Sequence, residues 1–223
     1  MCGRYSLIIG MEQLVIRFGI GRVEAELVPR YNVAPTQIMP VVVGQEGKRE
    51  LRMMQWGLVP FWAKDKTIGS RLINARVETV AEKPAFKYAL RQRRCIIPAD
   101  GYYEWQKTGA GKQAMRIVRP DREPFGLAGL WEQWRDPAGD PLFTYTILTT
   151  SPTAPVKHIH DRMPLVLNPE QEGYWLDGLL GTTPSEIGSF INNLWSPPEL
   201  TSYPVSNLVN NPRNDDPLCI APA

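Results

Sequence analysis

Histidine and cysteine are scarce in this chain, and their scarcity narrows its chemistry. Only two histidines and three cysteines occur in 223 residues. Cys2, Cys95 and Cys219 are odd in number and form no CxxC pair, which argues against a disulfide framework and leaves a zinc site few ligands. We therefore expect a reducing compartment and no metal or other cofactor. Long apolar runs are missing: none approaches the roughly 18 residues that cross a bilayer, and the N-terminus lacks the basic-then-apolar pattern of a secretory signal. The expected protein is a cytoplasmic monomer without membrane contact. Charge of one sign is also missing, because 25 Lys and Arg against 23 Asp and Glu leave a net +2. That balance suits a local polyanion-binding patch but not a strongly basic nucleic-acid coat. Finally, no GxSxG elbow occurs, and Asp161 should point away from the adjacent His160 in an extended segment, so a Ser-His-Asp hydrolase is disfavoured.

What is present is a core. Hydrophobic residues make up 43% of the chain, with no repeat or low-complexity segment, so one domain over residues 1–223 is expected, with a surface tail from about 211 to 223. CGRYSLI, IMPVVVG, RELRMMQWGLV, RRCIIPADGYYEWQ, QAMRIVR, PFGLAGLWEQW and LFTYTILTT read as strands, separated by GQEGK, KTGAGK, RPDREP and RDPAGDP turns. MEQLVIRF, PAFKYALRQ, PEQEGYWLDGL and TPSEIGSFINNL carry helical spacing, the last two opened by Asn168-Pro169 and Thr183-Pro184. The fold class is α+β: curved mixed or antiparallel sheets with a barrel-like core, flanked by a few helices.

The opening MCGRYS places a cysteine where initiator Met removal would leave an α-amine and a thiol on one residue. Their reference pKa values, roughly 7.7–8.0 and about 8.5, leave part of each deprotonated near neutral pH. Such an aminothiol traps aldehydes: the amine condenses to a Schiff base and the thiol closes a five-membered thiazolidine. A small apolar residue tucked into a first strand and an exposed accident of the N-terminus are the competing readings of Cys2.

Four other segments are richer in polar and planar groups than a sheet protein needs. In LINARVET, Asn74 and Arg76 share one face of an extended chain and could hold a phosphate or carbonyl, unless Arg76 pairs with Glu78. In PADGYYEW, Glu104 lies between Tyr103 and Trp105, and an apolar setting would raise its pKa toward the range useful for proton transfer. HIHDRMP holds both histidines, His158 and His160, and a general acid/base role suits one of them better than metal binding. RYNVAPTQ completes the set.

Taken in order, MCGRY, RYNVAPTQ, WGLVPFW, INARVET, RCIIPADGYYEW, HIHDRMPLVL and YPVSNLVNN resemble the motifs of the SOS-response-associated peptidase (SRAP) family, across nearly the whole chain. The resemblance implies a sensor of abasic sites in single-stranded DNA, acting near single/double-strand junctions and nucleoid-associated when bound, that crosslinks to the opened sugar. By that resemblance Cys2, freed of Met1, is the nucleophile; Asn74 orients amine and sugar; Glu104 shuttles protons; His160 assists opening of the deoxyribose ring. The same similarity assigns Arg4, Arg76, Thr149 and Arg162 to phosphates, and Val33, Pro35, Phe61 and Trp62 to bases. It also implies self-removal of Met1 and a lyase side reaction. WAKDKTIGSR is longer than in members that run almost directly from the aromatic pair into the next strand, and Phe61 stands where some carry Trp. Two alternatives remain open at this level: a thiol peptidase using Cys2 with His160, and a non-catalytic module for single strands.

Overall fold

Three hairpins supply the frame, and each forms where a turn signal interrupts two β-rich runs. They are β4 (Ile38–Gln45) with β5 (Lys48–Trp56), β8 (Gly101–Thr108) with β9 (Gly111–Val118), and β10 (Phe125–Arg135) with β11 (Pro141–Thr150), all antiparallel. In the last, Asp136 Oδ1 accepts the backbone N–H groups of Ala138 and Asp140 at 2.9 Å each, and Gly139 takes the left-handed φ of 93° that closes the turn. The computed structural model describes residues 2–23, 27–45, 47–109, 111–176, 183–190, 193 and 195–223.

The hairpins distribute over two sheets. One has the order β14-β9-β8-β1-β3, where β1 is Tyr5–Leu7, β3 is Arg30–Val33 and β14 is Thr201–Pro204. The other runs β12-β11-β10-β7-β4-β5-β2, with β2 Ile20–Val23, β7 Arg94–Ala99 and β12 Met163–Pro164; β13 (Val166–Leu167) adds to β10 and β6 (Asn74–Arg76) to β11. A further parallel pairing, Thr144 to Gln55 and Tyr145 to Trp56, joins β11 to β5 and closes five strands into a barrel. The expected α+β class with a barrel-like core is what the chain adopts. RRCIIPADGYYEW, which reads as one long run, divides at Asp100: β7 belongs to the barrel and β8 to the other sheet.

Among the described residues the α-helices are α1 (Met11–Phe18), α2 (Lys87–Gln92), α3 (Pro169–Leu176) and α4 (Pro184–Ser189). α1 buries Leu14 and Phe18 and ends at Gly19, whose left-handed φ of 61° lets its N–H cap the last carbonyls. Asn168 and Thr183 cap α3 and α4 as expected: Asn168 Oδ1 accepts from Gln171 N at 3.0 Å, and Thr183 forms a capping box with Glu186. The C-terminal parts of the two expected helical stretches fall partly outside the described residues. No helix among the described residues is long and apolar enough to cross a membrane.

The segment expected to be a surface tail is tied to β3. Asn32 Nδ2 donates to the carbonyls of Val209, Asn211 and Asn214 at 3.2, 3.1 and 2.7 Å, and Asp215 accepts from the N–H groups of Tyr31 and Asn32 at 2.6 and 2.9 Å. RYNV therefore supplies a brace for the chain's last residues.

Candidate active site

β1 is only three residues long, so its position depends on what pins it. Asp100, at the corner between β7 and β8, does this: one carboxylate oxygen accepts from Ser6 Oγ at 2.6 Å and Arg116 Nη2 at 2.7 Å, and the other from Ile8 N. Asp100 and Arg116 are both almost fully buried, which makes their pairing obligatory for each. Gly101 is required beside them, because a Cβ there would stand 2.8 Å from Arg116 Nε. Tyr5 then pairs with Tyr102, and Tyr103 N donates to the Arg4 carbonyl at 3.0 Å. This lays the residues before β1, Cys2 included, along β8.

Strand alternation sorts the side chains of β8. Tyr103 faces one way, donates its hydroxyl to Tyr31 O at 2.6 Å and packs with Ala114, Val205 and Val209. Tyr102 and Glu104 take the opposite face, and Glu104 lies near enough to Cys2 for its charge to act on the thiol. Cys2 is fully buried; its thiol donates to the Arg4 carbonyl at 3.8 Å. Burial and the Glu104 charge push that thiol well above its ordinary pKa, so at rest it is neutral. Glu104 is 3% exposed, and burial raises its carboxyl to about 7.

Asn74 arrives from β6, held parallel to β11 by the pairing of Asn74 with Ile147 and Arg76 with Thr149. Its Nδ2 donates to the Cys2 carbonyl at 2.7 Å, while its buried Oδ1 has no partner among the described residues. His160 Nε2 stands 3.9 Å from Glu104 Oε2. Its Nδ1 accepts the Arg162 N–H at 3.0 Å, which assigns the proton to Nε2 in the neutral ring, and burial lowers its pKa. The expectation that Asp161 points away from His160 is corrected: Asp161 Oδ1 lies 2.8 Å from Nδ1, because the chain turns here instead of running extended. Asp161 is nevertheless exposed, and its contact becomes a hydrogen bond only if Nδ1 gains a proton.

Cys2, Asn74, Glu104 and His160 are thus brought together from four separate stretches. The remaining candidates scatter more. Arg4, half-buried, donates to Asn32 Oδ1 at 3.0 Å and Asn210 O at 3.3 Å. Arg76 is exposed; Glu78, its possible partner in sequence, instead receives a two-pronged bond from Arg162 at 2.6 and 3.0 Å. Phe61 and Trp62 are half exposed, and Phe61 packs on Tyr88 with ring centroids 5.1 Å apart. Pro35 is partly exposed. Val33 and Thr149 are corrections: both are fully buried, Val33 in the core and Thr149 with its hydroxyl on Ala75 O at 3.5 Å. Neither side chain is presented to a strand of DNA in this conformation.

Several residues at the site carried no sequence signal. Tyr5, Tyr102 and Tyr145, buried in the same core cluster as Cys2, read as ordinary strand aromatics. Asp100 reads as a turn residue. A cleft of about 760 Å³ opens beside His160, lined among others by Trp105, Lys107, Lys157 and His158, and the two lysines come from segments that give no reason to associate them. Among the described residues no cluster of His, Cys, Asp and Glu suited to a metal occurs.

Comparison with known proteins gives a consistent answer. A family model described as SOS response associated peptidase (SRAP) matches residues 1–212. The abasic site processing protein YoqW of Bacillus subtilis is 41% identical over 99% of both chains. The abasic site processing protein HMCES of Gallus gallus is 33% identical, covering 100% of this chain and 78% of that protein. Among solved structures, a Bacteroides thetaiotaomicron protein superposes with a TM-score of 0.84 and 27% identity over the full length of both.

Proposed function

The chain belongs to the SOS response associated peptidase family, and on that premise we propose that it senses abasic sites in single-stranded DNA and becomes covalently joined to them through Cys2, once Met1 is removed. The observation that carries this reading is the placement of Cys2 between Asn74 and Glu104, with His160 within reach of Glu104.

The chemistry then follows from the groups. The Cys2 amine attacks the sugar aldehyde at C1′; the carbinolamine loses water to give a Schiff base; the thiol adds to the same carbon and closes a thiazolidine. A carboxyl near pKa 7 is matched to both directions of proton transfer at neutral pH, taking a proton from the amine and returning one to the departing hydroxyl. Neutral His160 can take or give the proton that opens the deoxyribose ring. Asn74 fixes the Cys2 main chain through Nδ2 and offers Oδ1 to the amine N–H. Arg4, Arg76 and Arg162 supply positive charge for phosphates, and Phe61 with Trp62 supplies stacking surface. Removal of Met1 by the chain itself, and strand cleavage by β-elimination from the Schiff base, belong to the same proposal.

Incubating the protein lacking Met1 with single-stranded DNA that contains one abasic site should give a heat-stable adduct on a denaturing gel. Cys2→Ala should abolish it. An adduct undiminished in that variant refutes the thiazolidine, and equal affinity for intact and abasic strands without any adduct favours a binding module.

A further inference from the structure

Phe61 stands at one end of a longer row of planar groups. Its ring meets that of Tyr88 at 5.1 Å between centroids, tilted by 56°. The Arg93 guanidinium lies 5.2 Å from the centre of the Tyr88 ring and 5.3 Å from the centre of the Trp131 ring. Arg52 stands over the same Trp131 ring at 6.0 Å, and Trp131 meets Phe143 at 6.2 Å. Rings and guanidinium groups thus alternate from the segment after β5, over α2, to β10.

Core packing accounts for only part of this row. α2 buries Ala89 and Leu90, and Trp131 and Phe143 are partly buried against the main core, but Phe61 is 52% exposed and Tyr88 38%. Arg93 is held between its two rings by pairing with Glu132, which is almost fully buried, and Arg52 donates to Glu50 Oε2 at 2.9 Å. The two carboxylates that touch the row are therefore already matched by its own arginines. The charge around it is positive: Arg91, three residues from Tyr88 and so on the same side of α2, is exposed, as are Lys83 and Lys87. Fixed rings beside surface cations suit bases joined by phosphates, and the row is continuous with Phe61, to which the proposed function gives a base.

We infer that Tyr88, Arg93, Trp131 and Arg52 form a second stacking track, which takes bases of the single strand that lie beyond Phe61 and Trp62. The identity of the strand rests on the function proposed above; the track lengthens its footprint by about two bases, one for each ring past Phe61. Bases stack on ring faces and on guanidinium planes alike. Arg93 and Arg52 offer such planes without leaving their carboxylates, so the track is set before the strand arrives, while Lys87 and Arg91 attract the phosphates. Every base has a π-face, so the track adds affinity without reading sequence.

Two measurements on the full chain test the track. In the first, intact single strands of mixed sequence are lengthened one nucleotide at a time, on the 5′ or the 3′ side, and their affinity is read by fluorescence anisotropy. Lengthening past Phe61 on one side should raise the affinity of the parent about five- to a hundredfold, the usual worth of a base on a ring. Tyr88→Ala should lose most of that gain, and Tyr88→Phe, which keeps the ring, should retain it. In the second, the unaltered protein is irradiated with strands that carry 5-iodouridine at successive positions, and the labelled residue is found by mass spectrometry. Labelling of Tyr88 or Trp131 is expected from one side, and this readout stands even if the Ala variant misfolds. A parental gain in Tyr88→Ala overturns the track, as does iodouridine labelling that reaches neither ring. If these results accompany a heat-stable adduct on abasic DNA, the track fails and the proposed function stands. If no adduct forms but the gain depends on Tyr88, the function fails and the track stands.

Discussion

Glu104→Gln should stabilise the folded protein at alkaline pH while disabling its chemistry. Burial holds the Glu104 carboxyl at about 7 against an ordinary 4.5. A tenfold change in a protonation equilibrium is about 1.4 kcal/mol, so ionising this group in the fold costs about 3 kcal/mol more than in the unfolded chain. The sign follows from the raised value: stability is full below about pH 4.5, declines as pH rises, and bears the whole cost above about 7. Glutamine has nearly the same shape and never ionises. The variant should therefore match the parent near pH 4.5, exceed it by about 2 kcal/mol at pH 6, and by about 3 kcal/mol at pH 8. For a chain of this length each kcal/mol moves the midpoint by about 2–4 °C, so a gain of roughly 6–12 °C is expected at pH 8. Thermal unfolding followed by circular dichroism at several pH values, for both proteins, is the assay. Parallel curves of Tm against pH would show that Glu104 is not the buried ionising group argued here. Adduct formation by the variant should fall about 10²–10⁴-fold, the usual contribution of a positioned acid or base.

Asp100→Ala should destabilise the protein by about 3–5 kcal/mol in urea unfolding, because Arg116 is left buried without its counter-ion, and should loosen β1 enough to lower crosslinking in whatever fraction folds. Phe61→Ala and Trp62→Ala should each weaken binding of intact single strands by about 1–3 kcal/mol in fluorescence titrations, with little change in Tm because both rings are half exposed. Cys2→Ser should shift products on abasic DNA from stable adduct toward nicked strand, since ring closure by sulfur no longer competes with β-elimination; unchanged nicking and unchanged adduct stability would contradict that competition.

Glu104 shows how a sequence reading can reach the right property by an incomplete route. Its flanking aromatics suggested an apolar setting, yet strand alternation turns Tyr103 to the opposite face, where it joins a separate cluster. The apolar surroundings come instead from Tyr102, two residues back, and from Cys2, whose chain segment is paired to β8 through β1. RYNV shows the reverse. Its polar residues look poised for a ligand, but Arg30 and Asn32 serve the C-terminal segment through Asp215 and three backbone carbonyls, and Val33 is in the core. His160 and Asp161 were expected to diverge on the assumption of extended chain, and a local turn brings them together.

Local pattern alone determined the strands of the three hairpins, the cores of the helices, the caps at Asn168 and Thr183, and the chemical character of Cys2, Asn74, Glu104 and His160. These depend on side-chain period, turn geometry and functional-group type, which neighbouring residues fix. The tertiary structure decided where the chain divides between sheets at Asp100, that β11 meets β5 to close a barrel, and that the Tyr102 hydroxyl has no hydrogen-bond partner among the described residues. It also set the protonation of the site, since the same carboxyl that would titrate near 4.5 in the open chain is moved to about 7 by burial. Burial and partner choice depend on residues tens of positions apart, such as Asn74 and Cys2 or Asp100 and Ser6, and only the order of strands in the sheets brings those together.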